Sequence, residues 1–167
     1  MVTRRQILIS GVSFVAAIAA IAAARLAGVP LAHAATAGHI THSEAEWQTL
    51  LTPGQYAVLR QEATERPFTS ALLHEARAGT FACAGCDLAL FSSKTKFDSG
   101  TGWPSFWAPL EDAVASKTDN TLGMTRTAVM CARCDGHLGH VFDDGPQPTG
   151  LRYCMNGIAL KFVPGVA

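Results

Sequence analysis

The pattern of hydrophobic and polar positions divides the chain into three regions. The first is an uncharged, alanine-rich run from Ile7 to Ala24. The second, residues 43–63, has apolar side chains at helical spacing. The third begins after Phe68 and consists of short runs of β-forming residues separated by Gly, Asp, Asn and Pro. This order predicts a mainly β, antiparallel domain with two short helices on its N-terminal side.

Each helix is predicted to begin at a capping box, in which a Ser or Thr is followed three residues later by Glu or Gln. The boxes and their helices are Ser43 to Glu46 before a helix over 44–51, and Thr52 to Gln55 before a helix over 53–63. The predicted strands are Gly79–Ala82, Leu88–Phe91, Val114–Lys117, Met124–Cys131, Leu138–Phe142, Leu151–Asn156 and Ala159–Val163. No linker or internal repeat indicates a second folded domain.

The N-terminal run has the three parts of an export signal. Arg4 and Arg5 precede the apolar run, and a small-x-small cleavage site ends at Ala34, with a second possible site ending at Ala37. Paired arginines resemble a twin-arginine signal, which predicts a periplasmic or exported protein. We therefore expect a signal peptide over 1–34, a flexible tail over 35–42 and one domain over 43–167. The alternative is a retained membrane anchor, for which the run is short.

Composition and charge narrow the class of protein. The chain has 167 residues, including eight Phe and three Trp, which is enough apolar material to exclude a disordered protein. Its formal net charge is zero, but residues 1–34 hold three arginines and no acid, so the remaining chain is net acidic. Because nucleic acids are bound mainly by clustered Lys and Arg, they are not expected as partners. A monomer is expected.

Four of the five cysteines form two Cys-x-x-Cys knuckles, which are typical of a structural zinc site. The knuckles are Cys83 with Cys86 and Cys131 with Cys134. Four thiolates would enclose Zn²⁺ completely and leave no open position for catalysis. Three alternatives stay open: paired disulfides, a site in which His137 replaces one thiolate, and a redox-active disulfide of an oxidoreductase.

The fifth cysteine, Cys154, is a candidate nucleophile. In a strand, Arg152 and Asn156 would project from the same face, and a neighbouring cation would lower the pKa of the thiol. Two histidines and a carboxylate lie upstream, at His137, His140 and Asp144, and are candidate acid and base groups. The loop around Trp103 is rich in aromatic rings and would suit an apolar pocket. A binding module with an aromatic cage of Trp103, Phe106 and Trp107 is the alternative without catalysis.

These motifs together resemble the B-type peptide methionine sulfoxide reductases. The resemblance rests on Thr64–Phe68, both knuckles, Gly102–Phe106, Gly136–Phe142 and Arg152–Asn156. It implies two antiparallel sheets clamped by a Cys₄ zinc site, and reduction of the R epimer of methionine sulfoxide. It further implies that Cys154 is the nucleophile and that Trp103 and Phe142 bind the substrate. The remaining site residues that it implies are His137, His140, Asp144, Arg152 and Asn156.

The chemistry requires an acid for the sulfoxide oxygen, and we expect this to be His140, with Asp144 and His137 as hydrogen-bonded support. Many relatives carry a second cysteine where this chain has Thr101, so we expect an external thiol, from a thioredoxin-like protein or a small molecule, to complete the cycle. Gly157 and Ile158 also depart from the small polar residues common there. Free and protein-bound methionine sulfoxide are both possible substrates.

Overall fold

The computed structural model describes residues 38–165. Helix α1 spans Glu44–Leu50 and helix α2 spans Pro53–Gln61, and both predicted capping boxes are present. Within the described residues, no helix is long and apolar enough to cross a membrane. The predicted export signal over 1–34 lies outside the described residues.

The segment predicted as a flexible tail, 35–42, is described from residue 38 onward. The backbone N–H of Ile40 donates to the carbonyl of Arg133 at 2.7 Å, and the ring of His42 packs edge-on against Trp47. Ile40 is partly buried against the core. Ile40 therefore contacts the second knuckle, and His42 contacts helix α1.

Within residues 38–165, nine strands follow the helices and form two antiparallel sheets. They are β1 (Gly79–Cys83), β2 (Ala89–Ser92), β3 (Lys96–Phe97), β4 (Ser105–Phe106), β5 (Val114–Asp119), β6 (Arg126–Cys131), β7 (His137–Phe142), β8 (Arg152–Met155) and β9 (Leu160–Pro164). The smaller sheet has the order β2-β1-β9, and the larger has the order β3-β4-β8-β7-β6-β5. The predicted fold class, mainly β with two antiparallel sheets and short N-terminal helices, is confirmed.

The two shortest strands, β3 and β4, were not predicted. A strand of two residues is too short to show an alternating pattern, and it is defined only by its partners. Ser105 and Phe106 of β4 pair with Cys154 and Tyr153 of β8. This pairing extends the larger sheet beyond β8 and places the loop that contains Trp103 beside Cys154.

The core lies where side chains of both sheets meet. Phe81 from the smaller sheet packs edge-on against Phe106 from the larger, with ring centroids 4.9 Å apart, and Phe91 stacks on Phe106 at 4.4 Å. All three rings are fully buried. Helix α2 covers the domain beside the second knuckle: a Cβ built at Gly136 would lie only 2.9 Å from the side chain of Leu59. Burial of these rings therefore holds the sheets and helices around one core.

Candidate active site and metal centre

The four knuckle cysteines come together at the ends of two strands that belong to different sheets. Cys83 ends β1 and Cys131 ends β6, and each is followed by the same tight turn. In each turn the fourth residue after the strand end, Asp87 or Asp135, has a positive φ of 60° or 54°. Its N–H donates to the carbonyl of the first cysteine at 3.0 Å. Both turns therefore present two thiols toward one point.

The geometry of the thiols fits a metal ion and does not fit disulfides. The Sγ atoms of Cys83 and Cys134 are 3.8 Å apart, those of Cys86 and Cys131 are 3.5 Å apart, and all four lie within 4.8 Å of one another. A disulfide bond is about 2.05 Å long, whereas a tetrahedral site with Zn–S bonds of about 2.3 Å separates its sulfurs by about 3.8 Å. His137 is not part of this cluster.

The burial and the close spacing of the four thiols also favour a bound cation. All four cysteines are buried. The neighbouring thiols, Cys131 first, and burial raise the pKa of Cys83, because adjacent buried thiolates repel one another. A divalent cation at the centre would remove that repulsion. Two guanidinium groups bind the backbone of the turns. Arg60 of α2 donates to the carbonyl of Cys134 at 2.8 Å, and Arg133, within the second knuckle, donates to that of Cys86 in the first at 3.2 Å. The ion would join the two sheets.

The fifth cysteine lies in a different setting, in the middle of the larger sheet. Cys154 of β8 is directly opposite His140 of β7 and Ser105 of β4. It opens onto a cavity of about 110 Å³. The residues that line this cavity are Thr64, Trp103, Arg126, Gly139, His140, Phe142, Cys154 and Asn156. The structure thus brings the predicted nucleophile, the predicted acid and both predicted substrate-binding rings to one pocket.

The floor of the pocket depends on a close approach of two strands at Gly139. A Cβ built at Gly139 would collide with the carbonyl oxygen of Cys154 and lie 3.0 Å from the backbone of Met155. Only glycine therefore allows β7 and β8 to pair here with His140 facing Cys154. Trp103 is fixed in the pocket wall by its indole N–H, which donates to the carbonyl of Glu65 at 2.9 Å.

The carboxylate that holds His140 is Asp119, so the expected pairing with Asp144 is wrong. His140 Nε2 lies 2.7 Å from Asp119 Oδ2, and the same oxygen accepts from Arg126 at 2.6 Å. The other oxygen of Asp119 accepts from the N–H of Thr121 at 2.8 Å. The hydrogen bond from Thr121, then that with His140, lowers the pKa of Asp119, which stays ionised.

Asp144 has a different partner. It accepts two hydrogen bonds from Arg152, to Nε and Nη2, both of 2.8 Å. These bonds lower the pKa of Asp144 and raise that of Arg152, and the guanidinium carbon also lies 4.4 Å from the centre of the Phe142 ring. Asp144 therefore fixes Arg152 and, through it, the ring of Phe142. Asp144 is not hydrogen-bonded to His140, the predicted acid. It follows the end of β7, where Phe142 is paired with Arg152.

The balance of effects on Cys154 also differs from the expectation. Burial raises the pKa of its thiol, and this outweighs the hydrogen bond from Thr101 and the positive charge of Arg152, both of which lower it. The predicted neighbour Arg152 is present and acts in the predicted direction. The net shift is upward because Cys154 lies largely beneath the surrounding strands, a burial that sequence spacing does not report.

His137 is buried, with 1% of its surface exposed, and lies behind His140, with ring centroids 5.3 Å apart. Neither of its ring nitrogens has a hydrogen-bond partner among the described residues. Burial, with a smaller effect from His140, lowers the pKa of His137 to about 4. The expectation that it supports His140 by a hydrogen bond is therefore wrong; a neutral imidazole packs against His140 instead.

The binding-module alternative required Phe106 in an aromatic cage with Trp103 and Trp107. Phe106 is fully buried and stacks on Phe91 inside the core, so it is closed to a ligand. Trp103 alone of these three lines the cavity with Cys154. The arrangement is that of a pocket with a free thiol, an imidazole and two aromatic walls.

Comparison with known proteins agrees with this geometry. The SelR domain model matches residues 51–164, which is most of the chain. The chain belongs to the SelR family. This confirms the resemblance to the B-type peptide methionine sulfoxide reductases. The relatives to which it is similar include "Peptide methionine sulfoxide reductase MsrB" proteins from Pseudomonas putida strain W619, Bradyrhizobium diazoefficiens and Leptospira interrogans.

The three relatives resemble the chain over nearly their whole length. The Pseudomonas protein is 60% identical over 120 residues, covering 71% of this chain and 90% of the relative. The Bradyrhizobium protein is 58% identical over 126 residues, covering 75% and 91%. The Leptospira protein is 53% identical over 124 residues, covering 74% and 95%. Residues 51–164, which the SelR model matches, contain both knuckles and the pocket.

Glu65 is a site residue of this SelR protein that sequence reasoning missed. Its carbonyl holds Trp103, its N–H donates to Asn156 Oδ1 at 2.8 Å, and its carboxylate accepts from the N–H groups of Gly157 and Ile158 at 2.7 and 3.3 Å. Asn156 in turn donates to the carbonyl of Leu138 on β7 at 3.1 Å. Glu65 thus joins the Trp103 loop to the end of β8, a role that only the tertiary fold reveals.

Proposed function

We propose that the chain reduces methionine R-sulfoxide to methionine, with Cys154 as the nucleophile. One observation carries the proposal: the Cys154 thiol and the His140 imidazole are cross-strand neighbours in a small cavity whose walls include Trp103 and Phe142. Membership of the SelR family, and the names of the MsrB relatives, support the same activity. Selectivity for the R epimer rests on the family resemblance.

The chemistry follows from the groups in the pocket. The Cys154 thiolate attacks the electrophilic sulfur of the sulfoxide, and His140 supplies a proton to its oxygen. The attack forms a bond between Sγ of Cys154 and the substrate sulfur, which still carries the protonated oxygen. The hydroxyl group then moves from the substrate sulfur to Sγ as the bond between the two sulfurs breaks, which leaves Cys154 as a sulfenic acid. The methionine sulfur is reduced by the same electron pair that oxidises Cys154, and methionine leaves. Asp119 holds the His140 ring in position for the proton transfer.

The apolar walls account for the recognition of a methyl thioether group. Trp103 presents its ring to the cavity, and Phe142 faces it from β7. Sulfur and methyl groups pack favourably on aromatic rings. Arg152 and Asn156 organise the site from the same face of β8: the first holds Phe142 and acts on the Cys154 thiol, and the second joins β8 to Glu65.

Completion of the cycle requires a thiol from outside the chain. The sequence contains five cysteines, and four of them form the buried metal cluster. Thr101 occupies the place beside Cys154, with Oγ1 3.9 Å from Sγ. We therefore propose that a thioredoxin-like protein or a small thiol attacks the sulfenic acid, forms a mixed disulfide with loss of water, and releases reduced Cys154 after a second thiol attacks.

The metal of the knuckles is proposed to be a structural Zn²⁺. Four thiolates in tetrahedral arrangement are the donor set typical of structural zinc, and a closed site holds the sheets together without taking part in the reaction. Cys83, Cys86, Cys131 and Cys134 would be its ligands. The paired arginines and cleavage site within 1–34 support export to the periplasm, where the metal would protect the four thiols from oxidation.

A direct assay tests the function. The purified protein is mixed with each epimer of a peptide methionine sulfoxide, with dithiothreitol as reductant, and methionine is measured. We expect turnover of the R epimer, little of the S epimer, and none with Cys154→Ser. A single turnover without reductant should leave a sulfenic acid on Cys154, detected by mass spectrometry after trapping with dimedone. Full activity of Cys154→Ser, or a disulfide to a knuckle cysteine, would contradict the mechanism.

A further inference from the structure

Three hydroxyl groups form a connected chain that ends at the Cys154 sulfur. Thr101 Oγ1 lies 3.9 Å from Cys154 Sγ, Ser99 Oγ lies 2.8 Å from Thr101 Oγ1, and Ser105 Oγ lies 2.7 Å from Ser99 Oγ. Ser105 is fully buried and lies directly opposite Cys154 in the sheet. Ser99 and Thr101 are half-buried, so this run of hydrogen-bonded hydroxyls connects the buried Ser105 to the thiol at the cavity.

The loop that carries Thr101 is held in place on both sides. Asp98 accepts a hydrogen bond from the N–H of Gly100 at 2.9 Å. Gly102 has a φ of +94°, and a Cβ there would lie 2.9 Å from both Phe68 and Pro67, so only glycine fits. The N–H of Phe68 donates to the carbonyl of Gly102 at 2.8 Å. The Thr101 hydroxyl is therefore presented to Cys154 by a fixed backbone.

The direction of the hydrogen bonds is able to reverse along the chain. When Cys154 is a thiol, its S–H donates to Thr101, Thr101 donates to Ser99, Ser99 to Ser105, and Ser105 to the carbonyl of Trp103, which lies at 3.1 Å. When the thiol loses its proton to solvent, each hydroxyl turns, and Thr101 donates to the thiolate. Hydrogen bonds to an ionised acceptor are stronger than those to a neutral one, so reversal favours the thiolate.

We propose that the Thr101 hydroxyl, oriented by Ser99 and Ser105, stabilises the thiolate of Cys154 and so sets the reactivity of the nucleophile. Thr101 is a catalytic residue in this proposal because it touches the reacting sulfur, and Ser99 is a positioning residue. The relevance to catalysis rests on the proposed function, but the effect on the thiol does not.

Substitution of Thr101 or Ser99 changes none of the charged side chains near the thiol. Three charged or titratable side chains lie near Cys154: His140 on β7, Arg126 on β6 and Arg152 on β8. The carboxylates Asp119 and Asp144 hold them by hydrogen bonds, and the Glu65 carboxylate binds the backbone that follows β8. Strand β4 contributes only the uncharged Ser105. Burial already raises the pKa of the Cys154 thiol, so loss of the hydrogen bond from Thr101 would raise that pKa further.

The test measures alkylation of Cys154 by iodoacetamide from pH 6 to pH 11 in the metal-loaded protein, with Cys154→Ser as the blank for the other cysteines. Thr101→Val keeps the shape of the side chain and removes the hydroxyl, and Thr101→Ser keeps the hydroxyl. We expect the midpoint of the pH profile to rise by about one pH unit in Thr101→Val, which lowers the rate at pH 7 about tenfold. Thr101→Ser should stay within about twofold of the parent, and Ser99→Ala should fall between.

Two results would overturn the proposal. One is a midpoint in Thr101→Val equal to that of the parent, and the other is an equal rise in Thr101→Val and Thr101→Ser, which would indicate packing. Ser99→Ala leaves Thr101 in place, so it gives a second measurement if the valine variant folds poorly; an unchanged midpoint there would overturn the positioning role. No sulfoxide is used, so failure of the proposed reductase activity would leave this result unaffected.

Discussion

The five thiols of the chain lie in two regions that differ in what surrounds each sulfur. At the knuckles, four buried sulfurs face one another, and each is presented by a tight turn at a strand end. At Cys154, a single half-buried sulfur faces an imidazole, a hydroxyl and a cavity. An ion bound by the first arrangement would be enclosed by four sulfurs with no open coordination position, whereas the second arrangement leaves one side of the sulfur open to the cavity. Neighbouring groups, rather than the cysteine itself, decide which thiol reacts.

The two regions are nevertheless built on one hairpin. Strands β6 and β7 are joined through the second knuckle, so Cys131 and Cys134 lie at its turn and His140 lies on its return strand. The register of β7 against β8 then sets His140 opposite Cys154. A metal at the turn would therefore hold the proposed acid in register with the nucleophile, although it lies outside the pocket.

Loss of the metal is expected to have the largest effect. Structural zinc in zinc-finger peptides binds with an apparent free energy of about 10–16 kcal/mol, which is lost from the folded state when the ion leaves. Cys134→Ser, or chelation of the parent protein, should therefore abolish cooperative unfolding, measured by circular dichroism, together with activity. Cys154→Ser is the matched control and should keep its metal and its melting temperature. A metal-free protein with an unchanged melting temperature would break the distinction between the two regions.

Protonation of His137 should have the next largest effect, on stability. The pKa of His137 is about 4 in the folded chain against an ordinary 6.5, so the unfolded state binds more protons between these values. Stability from this group is complete above pH 6.5 and falls as the pH drops toward 4, by about 3 kcal/mol in total. Urea unfolding at pH 7 and pH 5 should show about 2 kcal/mol of this loss.

The control for that measurement is a variant at an exposed histidine. His137→Gln should lose less stability than the parent between pH 7 and pH 5, and His74→Gln, which changes an exposed side chain, should behave like the parent. Equal losses in the parent and His137→Gln would show that the buried ring is not the group responsible. Metal content is measured at both pH values, because protonation of the cysteines would release the ion and change stability by itself.

Much of the fold was accessible from sequence because its signals are local. Capping boxes set the starts of both helices within four residues each, and the longer strands show their own composition. The metal ligands were also accessible, since each knuckle carries its spacing within four residues. Strand β4 and the contacts of Glu65 were not, because both are defined only by what they meet across the fold.

The partner of His140 shows how far a sequence argument reaches. Asp144 is near His140 in the chain and was the natural expectation, but Asp119 is 21 residues away and holds it through the sheet. The pairing of β5 with β6 sets Asp119 opposite Arg126. In the sequence, Asp119 lies just after the predicted strand Val114–Lys117, and Arg126 lies near the start of the next. Their opposite charges could have indicated an ion pair without revealing that His140 completes it.

Replacement of Asp119 is expected to have the smallest of these effects and to separate the two carboxylates. Asp119→Asn removes the charge that holds His140, so we expect kcat for sulfoxide reduction to fall about tenfold to a hundredfold, part of the about 10²–10⁴-fold that a general acid supplies. KM should change little, because Asp119 does not line the cavity. Lys117→Gln, which removes an exposed ion pair with Glu62 from the same strand, is the matched control.

Asp144→Asn provides the contrasting arm. Asp144 holds Arg152, whose charge acts on the Cys154 thiol, so this variant should slow alkylation of Cys154 at pH 7. Asp119→Asn should leave that alkylation unchanged while it lowers kcat, because Asp119 acts through the imidazole. Two results would contradict the assignment of Asp119 to His140 and of Asp144 to Arg152 and Cys154. One is that Asp119→Asn slows alkylation as much as Asp144→Asn, and the other is that Asp119→Asn leaves kcat at the level of Lys117→Gln.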